Sequence, residues 1–290
     1  ELYSLRQKTG GVRTKDEIIE LDKVFNDYKQ NEVSSKKSTL FLNSMNISYL
    51  HATKNYSEEL EYLHKILKLY EDNPFLIEYS LKGYVSSLYN MANTYRNLKD
   101  FDNAIVVLDK LDKLKTNKLI STSKVLSAYI FYLSSNLRLL IYIINSQYNL
   151  AEKYYQKIEK DYHSHEDNIS KSVVYEHLLL IIRIKIEQQS FKTALKYSNI
   201  IINDTSFKNR EDILTYVRLL NLVIHFELKN DFTIEYLSTS AANYLKRKKR
   251  LYKTEKEVIN FITKYSTGNR KILTQINERL KALKTDSFEK

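Results

Sequence analysis

Tyr84-Val85-Ser86-Ser87-Leu88-Tyr89-Asn90-Met91-Ala92-Asn93-Thr94-Tyr95-Arg96-Asn97-Leu98-Lys99-Asp100-Phe101-Asp102-Asn103-Ala104-Ile105, running on to Leu108 and Leu111, is the stretch that the rest of the chain repeats. Leu88, Met91, Ala92 and Tyr95 fall at the i, i+3, i+4, i+7 spacing of one helical face, and Phe101, Ala104, Ile105, Leu108 and Leu111 do so again. The stretch predicts two helices joined at Lys99-Asp100. Ala92 and Ala104 stand where the two helices must approach closely.

Outward from there the pattern recurs. Helix pairs are expected at about 38–72, 74–116, 119–162, 169–203 and 210–247, with marker aromatics Tyr56, Phe101, Tyr148, Phe191 and Phe232 spaced 45, 47, 43 and 41 residues apart. In the third pair Tyr142, Tyr148, Ala151, Tyr155 and Ile158 match Tyr95, Phe101, Ala104, Leu108 and Leu111, and Phe191, Ala194 and Ile201 keep register in the fourth. The small position is Glu59 in the first pair, which predicts that this pair splays or shifts. It is Glu235 in the fifth, where Phe226, Phe232 and Ala242 hold the pattern. Ahead of the pairs, Thr14 and Glu17 have capping-box spacing before a helix carrying Ile18, Leu21, Val24 and Phe25. Pro74, the single proline, suits a first helical position. Residues 161–168 read as a polar loop. Two helices at 251–284, parted by Gly268, read as a cap.

These residues resemble a tetratricopeptide repeat (TPR): Leu88, Met91, Ala92 and Tyr95 stand at that family's helix A positions, and Phe101, Ala104 and Leu108 at its helix B positions. Lys99 takes the place of the usual turn glycine. The resemblance implies an all-α, right-handed α-α superhelix of about five long, degenerate TPR-like hairpins with terminal capping helices, in one domain over 1–290. Because the spacing exceeds the family's period of about 34, longer helices are expected, notably at 74–98 and 119–146. Arg210-Glu211-Asp212-Ile213, the run from Arg218 to Leu228 and Tyr244 to Tyr252, with Tyr3 to Gly10 upstream, are similar over most of the chain to uncharacterised bacterial TPR-containing proteins of about twice this length. On that likeness the chain reads as the carboxyl-terminal part of something longer.

Composition narrows the chemistry. With 4 Gly and 1 Pro in 290 residues, against about 20 and 15 at average usage, a sheet-and-turn architecture is excluded. Zero Cys removes disulfides, thiolate metal sites and a Cys nucleophile. No glycine spacing fits a phosphate loop. The longest apolar run, near Leu137 to Ile144, is interrupted by Arg138 and Asn145, so no membrane span and a cytoplasmic location are expected. His163-Ser164-His165 beside Glu166 and Asp167 has ligand-like spacing but reads as a solvated loop; His51, His64, His177 and His225 read as packing residues within helices. Acid pairs Glu58-Glu59, Glu71-Asp72 and Glu211-Asp212 read as helix-end residues. No catalytic, cofactor or metal residues are expected, and the chain is not read as an enzyme.

The TPR resemblance implies an interaction scaffold that holds an unknown protein or peptide on a concave face made by the A helices. Its groove positions carry over to Tyr89, Asn90, Asn93 and Arg96, then Asn136 and Leu140, then Arg183. The family's carboxylate clamp would need Lys at Tyr89 and basic residues at Leu133 and Leu137, so that variety is not expected. Charge is asymmetric: residues 1–240 carry net +2 and residues 241–290 net +9. Lys246, Arg247, Lys248, Lys249 and Arg250 form a run that could contact an anion. The alternative function is therefore a regulator that binds nucleic acid weakly and without sequence preference, or senses a peptide, through this end or through a missing amino-terminal domain.

Overall fold

The computed structural model describes residues 12, 14–29, 34–207 and 210–266. In chain order the helices are α1 (Lys15–Lys29), α2 (Lys36–Ala52), α3 (Tyr56–Glu71), α4 (Pro74–Tyr79), α5 (Leu81–Asn97), α6 (Phe101–Lys113), α7 (Lys118–Ser121), α8 (Lys124–Ile144), α9 (Tyr148–His165), α10 (Lys171–Glu187), α11 (Phe191–Asn203), α12 (Glu211–Glu227), α13 (Asp231–Arg247) and α14 (Lys253–Ser266). Two 3₁₀ turns, Leu114–Thr116 and Glu166–Asn168, complete them, and no strand occurs among the described residues. The fold is all-α and TPR-like.

One turn closes every hairpin. After α2, Lys54 enters the left-handed region at φ 61°, the Lys54 N–H returns to the His51 carbonyl at 3.2 Å, and the Asn55 N–H to the Leu50 carbonyl at 2.9 Å. These crossed bonds satisfy carbonyls that the helix end would otherwise leave open. Lys99, Ser146, Gln189 and Lys229 repeat the geometry at α5/α6, α8/α9, α10/α11 and α12/α13, and Lys249 repeats it after α13. None of the six is glycine.

The turn, rather than the aromatic, sets the register of the second helix. Four residues past each turn, the N–H groups of Glu59, Ala104, Ala151, Ala194 and Ile234 bond back to the turn's last carbonyl, and all five side chains are fully buried. In the fifth hairpin this places Asp231 where Phe232 was expected and Ile234 where Glu235 was expected. Ser238, Ala241 and Leu245 follow inward, whereas Phe232 is fully exposed. The expected register there is wrong by one residue.

In the first hairpin Glu59 causes no splay. His51, at the end of α2, meets its carboxylate through Nδ1 at 2.9 Å, and α2 and α3 pack closely over the pair. A buried carboxylate is tolerated there because a donor accompanies it.

The extra length per repeat lies mostly in connectors. The helix expected over 74–98 breaks at Ser80 (φ −141°, ψ 61°), leaving Pro74 at the first position of the six-residue α4. The next breaks at Thr122 and Ser123, where the Ser123 hydroxyl accepts from the Leu126 N–H at 3.3 Å and caps α8. The inner helices α2, α5, α10 and α12 are each 17 residues, and α8 alone reaches 21. The loop expected at 161–168 is instead the end of α9 and a 3₁₀ turn.

Packing divides the described chain into two units, 14–174 and 12 with 175–266. In the first, Leu63 and Ile66 of α3, Leu88 and Ala92 of α5, Leu108 and Leu111 of α6, and Leu137 and Ile141 of α8 form one core. α1 begins with the capping box read from Thr14 and Glu17, whose reciprocal bonds are 3.0 and 3.2 Å. It holds α2 through Phe25 stacked on Tyr49 at 4.1 Å and through the Tyr49 hydroxyl donated to Asp22. Burial first, then Asp22, pushes the Tyr49 phenol up to about 12. In the second unit Leu222, Ile234, Ala241 and Leu245 close against Ile259 and Ile262 of α14, the first expected capping helix. The second, near 270–283, lies outside the described residues.

No clear membrane span occurs among the described residues, as expected. By length and composition alone α8 could cross a membrane, but 61% of its most apolar window is buried inside the protein. It serves as the core helix of the first unit.

Candidate functional site

Half-buried arginines separate structural positions from candidate ones. A guanidinium stays protonated and carries five donors, so taking it out of water without an anion leaves charge and donors uncompensated. Arg138 on α8 donates to Asp109 at 2.7 Å and Asp112 at 3.2 Å. Burial lowers its affinity for the proton, but the Asp109 bond and the neighbouring charges outweigh that and the net shift is upward. Arg210 is likewise held by Asp212 at 2.7 and 2.9 Å and by Glu176. Both are satisfied.

Arg96 is different. Its Nε and Nη2 both donate to one neutral oxygen, Asn93 Oδ1, at 3.0 and 2.8 Å, and no ion pair to it occurs among the described residues. Burial pulls the guanidinium below its ordinary value, with the phenols of Tyr89 and Tyr56 working the other way. One residue on, Asn97 has its Nδ2 buried with no acceptor among the described residues. α5 thus presents a desolvated cation and an orphaned amide side by side.

The helix places Asn97 on a polar stripe, and Arg96 beside it reaches that stripe through Asn93. Ser86, Asn90, Asn93 and Asn97 recur at i, i+4, i+7 and i+11, away from the Leu88, Ala92 and Tyr95 side that closes the hairpin. Tyr129, Leu133, Asn136 and Leu140 have the same spacing on α8. The Ser86 and Tyr129 hydroxyls meet at 3.2 Å, so the two stripes face at that end. Asn93 and Asn136 are only 7% and 9% exposed, so the groove is partly filled by its own side chains. Tyr89 and Asn90 are half-buried beside them. Leu137 is in the core, and a basic residue could not replace it to build a carboxylate clamp. Arg183 belongs to α10 in the second unit and is half-buried there. Sequence reasoning missed Asn97, although its spacing from Asn93 was available to find it.

The basic run does not present five charges together. Lys246, Arg247 and Lys249 are exposed, Lys248 donates to Glu211 at 2.9 Å, and Arg250 is 7% exposed. Lys249 is also the left-handed residue of the last turn.

Other chemistry-bearing groups are accounted for by packing. His165 lies against Phe131 and accepts or donates with Ser164 at 2.8 Å, and His163 is exposed 3.6 Å from Glu166. No group of three metal-ligating side chains occurs among the described residues. His177 is buried, His225 bonds Asn230 at 3.0 Å, and His64 is exposed rather than packed. Glu71 and Glu211 hold Lys110 and Lys248 across helices, a role beyond the helix-end one expected.

Residues 85–118 match the tetratricopeptide repeat family. That match covers the α5/α6 hairpin on which the stripe lies, and with the repeated hairpins it supports a TPR-like helical-repeat protein. Among curated proteins and among solved structures, none matches the chain. The expected likeness to longer bacterial proteins finds no support in these comparisons.

Proposed function

We propose that the protein is a non-enzymatic interaction scaffold whose first unit binds a peptide segment of a partner protein along α5, with an acceptor group of that segment at Arg96 and Asn97. The observation that carries this reading is the contrast among arginines: Arg138 and Arg210 have carboxylates, whereas Arg96 has one neutral amide oxygen beside an amide that has no acceptor. A peptide supplies the missing chemistry, a carboxylate to accept the guanidinium fork and a backbone carbonyl to accept from Asn97. Tyr89 and Asn90 flank the position and offer a ring edge and an adaptable amide. The family match at 85–118 supports partner binding by this hairpin.

Selection of peptides displayed on phage against the full chain tests the reading. Acidic side chains or a free terminal carboxylate should be enriched among the binders, and enrichment should disappear with Arg96→Gln. Binders without acidic character, or equal enrichment on the variant, would overturn it.

A further inference from the structure

A second place in the molecule gathers cations without anions. Arg218 of α12 lies over the Tyr244 ring of α13 with Cζ 4.2 Å from the centroid, and Arg247, three residues along α13, lies 5.8 Å from the same centroid. Neither guanidinium has a carboxylate partner among the described residues, and Arg218 Nε is buried with no acceptor. No acid lines the place, and of the acids of α10 and the start of α12, Glu211 holds Lys248, while Asp212 and Glu176 hold Arg210. The two arginines border an open pocket of about 380 Å³ whose other walls are Tyr236, Ser240 and Asn243. Tyr236, itself 73% exposed, forms its open aromatic side.

The geometry points to a binding site for a dianionic phosphate monoester, presented on an aromatic or apolar carrier. Two guanidiniums supply about two positive charges, which a monoester of charge about −1.5 to −2 matches and a single carboxylate does not. Its three terminal oxygens can take forked N–H donors from both arginines, and the Ser240 hydroxyl and Asn243 amide add neutral donors. The exposed ring of Tyr236 suits the carrier, while that of Tyr244 backs the two guanidiniums. A polynucleotide fits less well: each diester carries one charge, and Asp231 and Glu235 are exposed on the same helix. The site belongs to α12 and α13 and does not depend on the peptide stripe of α5.

The test is calorimetric titration of the full chain at low salt with phenyl phosphate and with a short phosphotyrosine peptide, each beside its unphosphorylated form and beside inorganic sulfate. Saturable one-to-one binding of phenyl phosphate is expected, absent for phenol, weaker for sulfate, and reduced about tenfold or more by Arg247→Gln, as loss of a charge-assisted bond implies. Arg247 is exposed, so that variant keeps the fold even where Arg218→Gln does not. Tighter binding of the peptide than of phenyl phosphate assigns the phosphate to a partner protein, and equal binding assigns it to a small phosphorylated molecule; either supports the site. No saturable binding of phenyl phosphate, sulfate binding as tightly, or an unaffected Arg247→Gln overturns it.

Discussion

At the scale of residues, the pair His51 and Glu59 shows how one buried carboxylate is made acceptable. Glu59 occupies a place that is Ala in three other hairpins and Ile in the last, and it is fully buried with His51 Nδ1 at 2.9 Å. Removing the donor leaves a buried charge, which costs about 3 to 5 kcal/mol, whereas removing both partners is nearly neutral when the shape is kept. His51→Ala should therefore lower the urea midpoint far more than Glu59→Ala, and the shape-keeping double variant His51→Leu with Glu59→Met should recover much of the loss. Equal losses from the two single variants would show that the pair does not carry this hairpin. The sequence gives Glu59 no visible partner, because His51 lies across the turn and its side chain meets Glu59 only once both helices form. Thr14 and Glu17, whose bonds span three residues within one turn, were legible for the opposite reason.

At the scale of elements, six left-handed residues repeat one turn, and each pays a steric cost that glycine avoids. A non-glycine residue there costs about 1 to 2 kcal/mol, while glycine adds unfolded-chain entropy worth about 0.5 to 1 kcal/mol. The first term is larger, so Lys99→Gly should stabilise the α5/α6 hairpin by about 0.5 to 1 kcal/mol, read as a raised urea midpoint; a lowered midpoint would contradict the assignment. Substitutions at Lys54 and Ser146 should add to it, since the turns share no partners. The same turns correct the register that aromatic spacing suggested, and this has its own test. Ile234→Ala should cost about 2 to 5 kcal/mol as a core truncation, and Phe232→Ser should leave the midpoint where it was. The reverse order would restore the aromatic register. Helix type and pairing were readable from period alone; the breaks at Ser80 and Thr122 were not, because apolar spacing continues across both.

At the scale of the whole molecule, the all-α class followed from scarce glycine and proline and from five hairpin signatures, and the match at 85–118 falls on the hairpin that displays them most fully. The inner positions Tyr89, Asn90, Asn93 and Arg96 could be named from helix geometry, yet what distinguishes Arg96 could not. That depends on which arginines find carboxylates on other helices: Arg138 meets Asp109 and Asp112 of α6, and Arg210 meets Glu176 of α10. Within the basic run Lys248 bonds Glu211 and Arg250 is buried, while Arg247 lies near Tyr244 of its own helix, over which Arg218 of α12 also sits. Uncompensated guanidiniums therefore mark the candidate sites of this molecule. The most direct measurement is calorimetric titration of one selected acidic peptide into the wild type, Arg96→Gln and Arg138→Gln, each first shown to be helical. Binding weakened about tenfold or more by Arg96→Gln and unchanged by Arg138→Gln is the predicted result; equal affinities for wild type and Arg96→Gln, or loss with Arg138→Gln alone, would contradict it.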